Sequence, residues 1–88
     1  MRDVFYKIRK ERTEYLGVRY FRFNADSEKV IQVCLFTGDV KKGKSNTFGV
    51  YLMCRLTFLT NYLSPGYAIS CTKKQYQNSF DKAFKMLK

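Results

Sequence analysis

Val4 to Lys10 alternates Val4, Tyr6 and Ile8 with Phe5, Lys7 and Arg9, the two-residue period of a strand with one wetted face. A polar turn follows over Glu11 to Glu14. Tyr15 to Phe23 then predicts a second strand, with Leu16, Val18 and Tyr20 on one side and Tyr15, Arg19, Phe21 and Phe23 on the other. Asn24 to Glu28 is turn chemistry, and Lys29 to Thr37, rich in β-branched residues, is a third strand. Gly38 to Asn46, with two glycines and three lysines, is expected to be a flexible basic loop.

Thr47 to Leu59 puts Phe48, Val50, Leu52, Cys54, Leu56 and Phe58 on one face and predicts a fourth, longer strand. A helix over Phe48 to Leu63 is the rival, since Phe48, Tyr51, Leu52, Leu56, Leu59 and Leu63 also suit a helical stripe. Gly49, Val50, Thr57 and Phe58 count against it by propensity. Ser64, Pro65 and Gly66 make a turn into a short strand, Tyr67 to Cys71. Thr72 followed by Gln75 is a capping box, with Cys71 and Tyr76 placed for a hydrophobic staple. From there a helix runs to the C-terminus with Tyr76, Phe80, Ala83, Phe84 and Leu87 on one face, a core stripe or a dimer seam. The fold class is therefore α+β: an antiparallel β-sheet of four to five strands followed by one C-terminal helix. At 88 residues, all of it belongs to one domain with a modest core, for which pairing with a second copy is a natural way to gain burial.

Charge changes this picture more than composition does. Seventeen Lys and Arg against seven Asp and Glu leave +10, an excess that folding does not need and that a polyanion would neutralise. Nucleic acid is the first expectation; an anionic membrane or an acidic protein is the alternative source of that charge. Cys34, Cys54 and Cys71 are odd in number, lack CxxC spacing and have no histidine beside them, so they are expected to be buried free thiols in a reducing compartment, cytoplasmic or nuclear. The start MRDVFYKIRK does not have the form of a secretory signal, and Phe48 to Leu63 is too short and too polar for a membrane span.

Enzyme chemistry has little to work with. Histidine is absent, the carboxylates fall mostly in turns and termini, and no phosphate-cradling glycine loop or nucleophile elbow occurs, so neither catalysis nor a cofactor or metal is expected. The basic residues instead interleave with aromatics. Lys7, Arg9, Arg19, Phe21 and Arg22 lie on adjacent strands if the first two pair, with Lys29 opening the third and Lys41, Lys42 and Lys44 in the loop. Rings for stacking and cations for phosphate on one sheet are what single-stranded nucleic acid uses. Alternation sends Tyr20 and Arg22 to the face opposite Phe21, so not all of these can bind. The competing expectation is that Phe21 and Phe23 pack under the helix or a partner subunit while the charges are merely solvated.

Three segments, Tyr15 to Phe21 (YLGVRYF), Lys29 to Val33 (KVIQV) and Ile69 to Tyr76 (ISCTKKQY), together resemble the positive cofactor four class of transcriptional coactivators, related in shape to Whirly and Pur-type domains. The resemblance covers about half the chain. It implies a curved four-stranded sheet with a C-terminal helix that dimerises to hold single-stranded DNA. It also implies that Phe21 stacks on bases and that Arg22 and Lys29 are basic contacts. Leu35 and the Phe36, Thr37, Gly38 run depart from the family's arginine and tryptophan, and the stretch from Thr37 to Tyr67 is longer than the family pattern. The expected function is thus non-enzymatic binding of single-stranded DNA or RNA with little sequence preference, by a homodimer. The alternative is a small phage or mobile-element protein that inhibits a host nucleoprotein complex by engaging a host protein.

Overall fold

Cross-strand pairing of the alternating segments builds one sheet from β1 (Asp3–Ile8), β2 (Arg19–Asn24), β3 (Lys29–Phe36), β4 (Thr47–Cys54) and β5 (Ala68–Ser70). This computed structural model describes residues 3–36 and 47–86. The five strands lie in the order β4-β3-β2-β1-β5, every pair antiparallel. Four strands form a meander and the last returns beside the first. Asn24 closes the β2–β3 turn, its side-chain oxygen accepting the Asp26 N–H at 2.9 Å while its carbonyl accepts that of Ser27 at 3.0 Å.

Register decides what each face carries. Tyr6 sits opposite Phe21 and Phe21 opposite Gln32, whereas Lys7 pairs with Tyr20 and Tyr20 with Val33. The first face is covered by α2 (Arg55–Phe58), which runs on as a π-helical turn, Leu59–Leu63, with Ser64 N–H donating to the Leu59 carbonyl at 2.7 Å. Under it Ile8, Phe21, Val30, Phe58 and Ala68 are buried, with Tyr62 and Leu63 packed against them. Phe21 meets Phe58 at 4.8 Å and Tyr62 at 5.0 Å between ring centroids, both tilted. Such pairs add roughly 0.5–1.5 kcal/mol each beyond the area they bury.

The second face receives α3 (Lys73–Met86). Its capping box forms as expected: Gln75 N–H donates to Thr72 Oγ1 at 3.1 Å, and Thr72 N–H to Gln75 Oε1 at 2.9 Å. Tyr76 and Ala83 are buried on Val33, with Phe80 half-buried beside them. The aromatic stripe ends early, since Phe84 is 50% exposed.

Three expectations need correction. The second strand begins at Arg19 rather than Tyr15, because Lys10–Arg12 forms a 3₁₀ turn and Thr13–Leu16 a short helix, α1, which Gly17 ends at φ 81°, where a side chain would be strained. The fourth strand stops at Cys54. Beyond it a helix forms, though not on the whole of the expected stripe: Leu59 and Leu63 reach the sheet together with Phe58 and Tyr62, which would alternate away from it along a strand, while Leu56 stays exposed. Finally, Cys54 is exposed; only Cys34 is fully buried and Cys71 is partly so, all three as free thiols.

The two ends of this packing differ in weight. Phe21→Ala is expected to cost about 3–5 kcal/mol, and Thr72→Ala about 1 kcal/mol through loss of the cap, as read from urea unfolding midpoints.

Candidate functional site

Helix α3 packs over β1, β2, β3 and β4, and hollows open beside it. On one side Lys7, Ile8, Lys10, Thr13, Val18, Arg19 and Tyr20 line a hollow of about 320 Å³. Val18 and Tyr20 are shared with a neighbouring hollow of about 310 Å³ bounded by Leu35, Gln75, Asn78, Ser79 and Lys82, so the two form one groove along the helix. On the other side Asp3, Arg22, Asn24, Ser27, Lys29, Ile31 and Leu52 enclose about 310 Å³.

The first groove gathers Lys7, Lys10 and Lys82, and no carboxylate is among its described lining residues. Arg19 borders it, but its guanidinium is turned to the opposite face, where it serves the fold. Its Nε donates to the Leu16 carbonyl at 2.5 Å and its Nη1 to Gln32 Oε1 at 2.6 Å and Cys34 Sγ at 3.3 Å. That ties α1 to β3 and satisfies Gln32, a buried amide. Burial, with the nearby Cys71 adding to it, pushes the Tyr20 hydroxyl upward, so its ring stays neutral beside the lysines.

The second cleft is closer to balanced. Arg22 donates to Asp3 Oδ2 from Nε at 3.0 Å and Nη2 at 2.6 Å, and Asn24 Nδ2 donates to Oδ1 at 3.2 Å. The Arg22 hydrogen bond, helped by that of Asn24, holds the Asp3 carboxyl below its usual range. Lys29 stands exposed beside the apolar walls of Ile31 and Leu52.

The sequence-predicted residues are thus divided by α3. Lys7 lies in the first groove, Arg22 and Lys29 in the second cleft, while Arg19 only borders the first and turns its guanidinium to the far face. Arg9 lies outside both, its Nε 3.2 Å from Glu11 Oε2. Phe21 is fully buried on the far face beneath Phe58 and Tyr62, which closes it to base stacking; the packed alternative is the one that forms. Lys41, Lys42 and Lys44 fall outside the described residues. Lys10, Tyr20, Gln75, Asn78 and Lys82 were not anticipated. Alternation had already put Tyr20 opposite Phe21, and knowing which face a helix covers more fully would have selected it.

Among the described residues no group of His, Cys, Asp and Glu is placed to hold a metal ion, and no helix is long and apolar enough to cross a membrane. Cys54 differs from the other thiols: it sits at the N-terminus of α2, where the backbone N–H groups of Leu56 and Thr57 bring its pKa down, whereas burial pushes Cys34 and Cys71 up.

Iodoacetamide is accordingly expected to label Cys54 first and Cys34 last, an order that peptide mapping by mass spectrometry reads directly. The Asp3–Arg22 pair has its own pH signature. Because the folded carboxyl titrates below its ordinary 3.8, the stabilisation is present above that value and lost as pH falls through the folded pKa. The urea midpoints of the native protein and Asp3→Asn should therefore differ at neutral pH and converge in strong acid.

Compared with known proteins, the chain matches no family model, no curated protein and no solved structure.

Proposed function

We propose that this protein binds nucleic acid without catalysing a reaction, taking single strands in preference to duplex, along the face that carries α3. The observation that carries this reading is the groove lined by Lys7, Lys10 and Lys82 together with Tyr20. Cations there neutralise phosphates and release their counterions, which is the sequence-independent part of nucleic-acid affinity. Tyr20, Val18 and Leu35 offer the flat or apolar walls against which an unstacked base rests. A duplex keeps its bases inside and would reach only the outer lysines of α3, Lys73, Lys74 and Lys85, which favours the single strand. Arg22 and Lys29 across the helix extend the contact to a second cleft with walls of Ile31 and Leu52.

Fluorescence anisotropy with oligo-dT, a matched duplex and a matched RNA at two salt concentrations tests this. Affinity for the single strand should fall steeply with salt, and Lys7→Ala or Lys10→Ala should each lower the salt slope by about one unit. Tyr20→Ala should cost roughly 1–3 kcal/mol if it stacks on one base. Equal affinity for duplex, or binding indifferent to salt, would overturn the reading.

A further inference from the structure

From Thr47 to Cys71 the chain carries a single charged residue, Arg55, in a protein of net charge +10. Arg55 is itself turned back on the fold, its Nη1 donating to the Ala25 carbonyl at 2.8 Å. This neutral stretch comprises β4, α2 with its π turn, and β5. The structure is therefore largely segregated by charge: Lys7, Arg22, Lys29 and the lysines of α3 lie on one side, Arg19 on the other is tied to Leu16, Gln32 and Cys34, and β4 itself carries no charge.

The two edges of the sheet are unlike. β5 is three residues long and follows a Pro65–Gly66 turn, a short edge of the kind that resists further pairing. β4 is eight residues long and matched residue for residue with β3 on its inner side. On its outer side no strand pairs with it among the described residues. It contains neither a charge nor a proline, the usual means of protecting an edge. Apolar side chains are exposed along it on both faces: Leu52 at 70% on the α3 side and Tyr51 at 45% on the α2 side, with Leu56 at 66% in the first turn after the strand.

We propose that β4 pairs antiparallel with β4 of a second copy, joining two five-stranded sheets into one. A copy of the same chain is the occupant that the charge distribution favours. Two strongly basic chains repel wherever their cations meet, and β4 is the long strand that carries none of its own. A partner recruited by charge would instead be drawn to the α3 side. Antiparallel pairing of a strand with itself is isologous, so Tyr51 and Leu52 of both copies are covered by one contact. It also closes, because the only edges left are the two short β5 strands. Ten strands is about the limit for an open twisted sheet.

The twofold axis of such a pairing is perpendicular to the sheet, which places both basic faces on the same side. Salt screens their repulsion and strengthens the dimer, the reverse of its effect on nucleic-acid binding. Sedimentation equilibrium of the full chain at low and high salt should show a species of twice the 10.4 kDa chain mass, favoured by salt. Leu52→Lys and Tyr51→Lys should each give monomer with an unchanged circular dichroism spectrum. Hydrogen exchange on the unsubstituted protein needs no variant: β4 amides should gain protection as concentration rises. A single 10.4 kDa species at high concentration and high salt would overturn the proposal. So would a dimer that survives Leu52→Lys while β4 amides exchange independently of concentration.

Discussion

Phe21 lies between the sheet and the helical segment that follows β4, and the arrangement of the remaining residues depends on that burial. Its ring is held by Phe58 and Tyr62, while Tyr6 and Phe23 reach Phe58 at 5.5 and 5.7 Å. Removing so many rings from water outweighs what any of them would gain by waiting at the surface for a base. Once that face is closed, strand alternation leaves Tyr20, Arg22 and Lys7 on the other. There α3 is too narrow to cover the whole sheet, and the uncovered margins are the clefts.

Much of this was legible in the chain. The alternation of β1 and β3, the Asn24 turn and the Thr72–Gln75 cap are local properties, and each appears within a residue or two of its expected place. What could not be read locally was the choice between two faces. Phe21 and Tyr20 are both large rings on one strand, and only the landing site of α2, itself hidden in a segment whose pattern fits strand and helix together, decides between them. Arg19 was legible as a cation but not as a tie. Its bonds to Leu16 and Gln32 join residues that no periodicity links. The same holds for Lys82, which enters the groove from another element, α3.

Charge is distributed by layer, and this organises the molecule as firmly as its hydrophobic pattern does. A core of this size tolerates many surface compositions, so concentrating the cations beside α3 while leaving the middle of the chain almost uncharged is not demanded by folding. It gives one sheet two different kinds of surface, separated by the thickness of a single layer of strands.

The π-helical turn at Leu59–Leu63 carries slack rather than constraint. Phe58 and Tyr62, and likewise Leu59 and Leu63, face the sheet together, as positions four apart do on any helix. The wide loop, closed by Ser64 N–H on the Leu59 carbonyl, takes up one residue more than an ordinary turn within nearly the same rotation. Loss of one residue there would draw the segment back to an ordinary helix and leave the Pro65 turn and β5 headed much as before. A strand offers no such slack, since one residue lost from β2 would send Phe21 and Tyr20 to each other's faces, so the length of the helical segment is freer to vary than that of the strands it covers.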